Sequence, residues 1–227
     1  MQAGMIGSAR AAIRTRIPFS AEAYEATRRL ARRPGARRRV REVLASGRPV
    51  LLDLGGGYEP GRNGWLNIDI SNEADIFWDL GGGIPFPDGT VDRVYSSHLF
   101  EHLTFDQGQA LLAECLRVLK PGADISIAVP NARMYIEAYL GQRTLPEEYF
   151  GWQPAYNGTT PIDAVNYVAY MAGEHRYMFD QENLLHVLRL AGFEGVSERA
   201  MDPEVDRPER DFESIYAVGH KPGARTP

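Results

Sequence analysis

The chain has 227 residues, 44% of them hydrophobic and 24% charged, with a formal net charge of −5. That is the make-up of one folded α/β domain with an elaboration, and no apolar run approaches the ~20 residues a membrane-spanning helix needs. The start shows no apolar leader core, and with Cys115 as the single cysteine an intrachain disulfide is excluded, so a cytoplasmic protein is expected.

Charge is spread unevenly. The first 48 residues hold 12 arginines against Glu22, Glu25 and Glu42, a net of +9, which leaves −14 for the rest. Such an arm can attract nucleic acid or an anionic membrane surface. No aromatic residue interleaves the run from Arg28 to Arg41, however, and the overall balance is acidic. The arginines therefore read as the wet faces of helices, and nucleic acid is not the expected partner. Residues 1–19 read as loosely ordered. A helix is predicted over 20–33, with Ser20 as N-cap and Pro34-Gly35 as its end. A second is predicted over about 36–46, with Val40, Val43 and Leu44 on one face.

The next stretch, VLLDLGGG, reads as a buried strand running through Asp53 into a tight turn of Gly55, Gly56 and Gly57. Glycine tolerates positive φ and lets a backbone come close to a ligand. The nicotinamide-type G-x-G-x-x-G spacing fails, because Pro60 stands at its last position when counted from Gly55. Only Tyr58 to Gly64 separate this turn from a second strand, Trp65 to Ile70, with Asp69 near its end. No helix fits there, nor between Asp69 and Phe77, where a third strand ends towards Asp79. The sheet face left open must be covered by something; the N-terminal helices are assigned that role. A Pro/Gly loop then leads to a fourth strand over 92–96. A helix is predicted over about 105–119, with Thr104 and Gln107 as a capping box. Lys120-Pro121-Gly122 breaks it, and a fifth strand covers 125–129. The segment 131–179 carries ten aromatics, suited to a cap over a substrate and equally to a small core or a dimer contact in a homo-oligomer. A last helix over 180–191 precedes two paired strands, 195–200 and 214–219.

Taken in this order, the acid-plus-glycine turn, Asp69, Asp79 and the PFPDGTVDRVYSSHLFEHL and RVLKPGADISIAVPN segments resemble the type 11 group of class I S-adenosylmethionine-dependent methyltransferases, from about residue 49 to 219. The resemblance implies a Rossmann-like sheet in the order 3-2-1-4-5-7-6 with strand 7 antiparallel. It implies a cofactor-binding domain over 49–227, with residues 1–48 as a basic helical segment packed on it and 131–179 as a substrate cap. Asp53 would organise the glycine loop, and Gly55, Gly56 and Gly57 would approach the amino-acid end of S-adenosylmethionine. Asp69 would take the ribose hydroxyls, and Asp79 and Leu80 would neighbour the adenine. The chain departs from the family in lacking helices after its first two strands, and Glu59 replaces the third glycine of the fuller G-x-G-x-G pattern.

Methyl transfer is an in-line displacement, so the protein must place an acceptor atom and, for a hydroxyl, remove its proton. Ser96, Ser97, His98 and Leu99, just after the fourth strand, would face the methyl group, and His98 is the general-base candidate. His175, in GEHRYMFD, reads as a second base or substrate contact, or as a hinge residue. Residues 98–102 also spell H-x-x-E-H, an inverted zincin pattern. That pattern needs both histidines on one helical turn, and here it falls at a strand–helix junction, so no metal ligands are expected. Glu101 and His102 read instead as helix-capping or loop-supporting groups. The expected activity is methylation of a small-molecule or glycan hydroxyl. The alternatives are a non-catalytic S-adenosylmethionine-binding protein and a nicotinamide-dependent oxidoreductase.

Overall fold

The glycine turn lies at the carboxyl edge of a seven-stranded sheet in the order β3-β2-β1-β4-β5-β7-β6. The computed structural model describes residues 18–223, with side chains from residue 32 onward; the expectations for residues 1–17 and for Ser20 as a cap lie outside that range. The strands are β1 (Leu51–Leu54), β2 (Trp65–Asp69), β3 (Ile76–Phe77), β4 (Val91–Ser97), β5 (Leu119–Pro130), β6 (Glu194–Glu198) and β7 (Ser214–His220). β1 to β5 run parallel, and β7 is antiparallel to both β5 and β6. Order and direction are those the family resemblance implied.

Parallel strands covered on both faces are apolar almost throughout. Leu52, Leu54, Ile68, Val94 and Ile125 are accordingly completely buried. The helices α2 (Phe105–Val118) and α5 (Gln181–Ala191) pack on each other. Through Leu111, Leu112, Cys115, Leu184 and Leu188 they enter the same core. Cys115 is thus a core side chain. Thr104 and Gln107 form both bonds of the capping box at the start of α2. β5 begins at Leu119, directly after α2, earlier than expected. The Lys120-Pro121-Gly122 segment lies within it as an irregularity, where the register against β4 shifts and Gly122 takes φ 78°.

The N-terminal segment differs from the two helices expected. One helix, α1 (Pro18–Ala45), runs through Pro34. An interior proline removes one backbone hydrogen bond and costs ~3 kcal/mol. The arginines and alanines around it are strong helix formers, and the helix has a surface to rest on. Ala36 and Val40 are buried in the main core, with Val43 and Leu44 against it. Upstream, the Arg32 guanidinium lies 4.6 Å from the centroid of Phe77 and that of Arg33 5.6 Å from Trp78. α1 therefore packs on β3, beside the two connections that lack helices.

The insert after β5 folds around its own small core. Its helices α3 (Ala132–Leu140) and α4 (Ile162–Tyr170) bury Tyr135, Phe150 and Tyr167 against each other. Tyr156 stacks on Phe150 at 3.7 Å. Four of the ten aromatics are thus spent on holding the insert together. No helix among the described residues is long and apolar enough to cross a membrane.

Candidate active site

A cleft of about 340 Å³ opens at the carboxyl ends of β1 and β4, where open α/β sheets bind ligands. Its floor is the glycine turn. Gly55 and Gly57 take φ 75° and 76°, which only glycine adopts without strain. Space is equally restrictive: a Cβ on Gly55 would stand 2.9 Å from Leu99, and one on Gly56 2.8 Å from Asn67 and Asp53. Each of the three glycines is therefore demanded by the turn.

The turn's amides point inward. Gly55 N donates to Ile68 O at 3.0 Å, Gly56 N to Asn67 Oδ1 at 3.1 Å, and Gly57 N to Asp69 Oδ2 at 3.1 Å. Glycine here supplies closeness rather than donors. Asn67 is the clamp that sequence reading missed. Fully buried in β2, it also donates from Nδ2 to Gly57 O (3.2 Å) and Glu59 O (2.6 Å). Asp75 Oδ2 pins the rest of the loop by accepting from Gly61 N (2.7 Å) and Asn67 N (2.9 Å). An amide residue inside an otherwise apolar strand was the available signal, since a buried polar group must find partners.

Asp53 faces the cleft, and its buried Oδ1 has no hydrogen-bond partner. Burial pushes its pKa up to about 6, against the pull of Arg207 and Arg62. Both arginines line the same cleft, as does Glu59. Asp69 closes β2, its Oδ1 accepting from Ser71 N at 2.7 Å. Asp79 caps the short 3-10 turn Leu80–Gly82 through Gly81 N. Asp69, Asp79 and Leu80 are not among the residues lining the cleft, whereas Asp53, Gly55, Gly56, Gly57, Ser97 and His98 are.

The cover of the cleft comes from the β6–β7 connection, which supplies Glu204, Val205, Arg207 and Arg210. No residue of the insert lines it, so the cap over this cleft is not the segment expected from sequence. A buried network fixes the connection to the sheet. Asp206 accepts from Tyr95 Oη (2.9 Å) and from the Arg199 guanidinium, which also reaches Ser126 Oγ at 2.6 Å. Tyr95 and Asp206, like Ser126 and Arg199, lie too far apart in the chain to be matched from sequence.

His98 sits at φ 52°, a strained conformation for a non-glycine residue. Its Nε2 lies 2.9 Å from Ser214 Oγ, which itself donates to Arg210 O at 2.7 Å. Its Nδ1 faces Glu101 Oε1 at 3.4 Å. His175 lies elsewhere: it is 6% exposed, its Nδ1 is 2.7 Å from Val168 O, and its ring stands edge-on to His102. Burial holds its pKa below the usual histidine range, despite the Val168 carbonyl. The structure thus brings His98 to the cleft and places His175 beyond Glu101.

Comparison with known proteins finds partial matches. Residues 74–127 match the family described as "Methyltransferase domain". The chain is 27% identical over 161 residues to the ubiquinone/menaquinone biosynthesis C-methyltransferase of Stutzerimonas stutzeri, covering 69% of this chain and 59% of that protein. A 48-residue stretch is 44% identical to a probable S-adenosylmethionine-dependent methyltransferase of Mycolicibacterium smegmatis, covering 21% of this chain and 18% of that protein. The chain therefore matches less than two thirds of either relative's length. Among solved structures, phosphoethanolamine N-methyltransferase 2 of Haemonchus contortus in complex with S-adenosyl-L-methionine is similar at 15% identity and a TM-score of 0.49, over 77% of this chain and 49% of that one.

Proposed function

We propose that this chain, a class I S-adenosylmethionine-dependent methyltransferase in sheet topology and sequence, transfers a methyl group to a hydroxyl of a small polar molecule or glycan bound in the cleft above β1 and β4. The observation that carries the reading is Asp53 Oδ1, buried without a partner at a glycine turn whose every Cβ position is closed or strained. A cationic ligand group brought close to that turn satisfies the carboxylate.

S-adenosylmethionine supplies the methyl group, activated by its sulfonium. The chain's own residues bind and orient. Asp53 suits the ammonium, and Arg62 and Arg207 suit the carboxylate, since the loop amides are already engaged. Asp69 keeps lone pairs for ribose hydroxyls, because each carboxylate oxygen accepts more than one bond. Asp79 and Leu80 continue that row toward an adenine. Ser97 and His98 then flank the methyl position, and the Arg199–Asp206 network holds the cover that excludes water. His98 is the group proposed to take the acceptor's proton. The mixture of Glu59, Glu204, Arg62 and Arg210 around the cleft favours a polar acceptor over an apolar one. A cytoplasmic setting fits a chain whose single cysteine is a buried thiol.

The test is turnover. Incubation with S-adenosylmethionine and a panel of hydroxylated acceptors should yield S-adenosylhomocysteine and a methylated product. His98→Ala should slow a single turnover by about 10²–10⁴-fold if His98 is the base. Cofactor binding without product across sugars, glycans and phenols would favour the non-catalytic reading.

A further inference from the structure

The H-x-x-E-H segment was set aside as a metal site because its histidines cannot share one helical turn. The fold adds the missing part. The main chain of Arg176 and Tyr177 donates to Glu101 O at 2.7 and 3.2 Å, and this pairing carries His175 against Glu101 and His102. One ligand atom from each of the three lies within 4.8 Å of the others.

Both imidazoles are held in the tautomer a metal needs. His102 Nδ1 meets Glu174 O at 3.1 Å, and His175 Nδ1 meets Val168 O at 2.7 Å. A carbonyl only accepts, so each Nδ1 carries a proton, and in the neutral ring Nε2 is left with the lone pair a metal binds. An Nδ1–H bound to a backbone carbonyl is the usual outer support of a metal-bound histidine. His102 Nε2 stands 3.9 Å from Glu101 Oε1.

The carboxylate needs a cation. Glu101 is 2% exposed and its Oε2 has no hydrogen-bond donor. On its other side, His98 Nδ1 stands 3.4 Å from Glu101 Oε1. A buried carboxylate oxygen without a partner is costly unless a positive charge sits beside it.

We propose that Glu101, His102 and His175 bind a divalent metal ion, zinc by preference, that ties the loop after β4 to the end of the insert. Two imidazoles and one carboxylate form a donor set suited to zinc, with a fourth position left for water. Ligand atoms around tetrahedral zinc stand roughly 3.3 Å apart, given bonds of ~2.0–2.1 Å, so the cluster closes by about 1.5 Å at most. His102, its side chain 39% exposed, provides the entry path. The proposal stands apart from methyl transfer.

The test is zinc binding to the full chain, stripped with chelator and then titrated with zinc chloride alone. One equivalent should bind at micromolar or lower free zinc, with a rise of several degrees in melting temperature. Cobalt(II) in its place should show the visible bands of a four-coordinate site. His102→Ala alters an accessible position and should fold, as circular dichroism will show, yet lose at least 100-fold in zinc affinity; His175→Gln should do the same. His186→Ala, on α5, should bind as the parent does. No zinc bound at about 100 μM, or equal affinity in the His102 and His175 variants, would overturn the proposal.

Discussion

Asp53 couples stability to function in a way that pH exposes. Its pKa in the fold is about 6 against an ordinary 3.8. Between those values the folded state holds the proton more tightly than the unfolded chain, so stability falls as pH rises from about 4 to 6 and stays lowered above. Asp53→Asn removes the buried charge. It should stabilise the protein by roughly 1–3 kcal/mol at pH 7 and leave stability little changed near pH 4, while weakening S-adenosylmethionine. Thermal melts at the two pH values check this, and an equal gain at both would show that ionisation is not the cause. Asn67→Ala acts the other way. It strips partners from Gly56 N, Gly57 O and Glu59 O, and should cost about 2–4 kcal/mol at the usual 1–3 kcal/mol per unsatisfied buried group. Asp69→Ala should weaken the cofactor by about 1.5–3 kcal/mol, the worth of hydrogen bonds to a charged acceptor; calorimetry showing unchanged affinity would place the ribose elsewhere. The glycines and acids of this site were legible because turn chemistry and strand ends leave local marks. Asn67 and the Arg199–Asp206–Tyr95 network were not, because their partners are set by tertiary pairing.

Elements were legible where capping and periodicity agreed. The Thr104–Gln107 box and the break after α2 are local signals, and the absent helices after β1 and β2 follow from connection length alone. Pro34 misled, because proline usually ends a helix, and here the burial of Ala36 and Val40 outweighs its local penalty. The same burial makes α1 part of the core. Removing residues 1–48, or placing a charge there by Val40→Asp, should destabilise the domain by several kcal/mol, since an unpaired buried charge finds no partner. An unchanged melting temperature in both would reduce α1 to an appendage and revive a binding role for its arginines. For the insert, the sequence left a substrate cap and a small core as equal readings. Composition cannot distinguish aromatics that cover a ligand from aromatics that cover each other, and Tyr135, Phe150, Tyr156 and Tyr167 do the latter.

At the scale of the whole molecule, the sheet order places one glycine turn, one unpartnered acid and a fixed covering loop at a single edge. Order and strand direction followed from family resemblance, whereas the identity of the cover required the structure, since the β6–β7 connection carries no motif. The central claim is that this edge is built for S-adenosylmethionine. Calorimetric titration of the full chain with S-adenosylmethionine, S-adenosylhomocysteine and NAD tests it most directly. The account predicts heat from a single site for the first two and none for NAD; NAD binding with no heat from S-adenosylmethionine would contradict it.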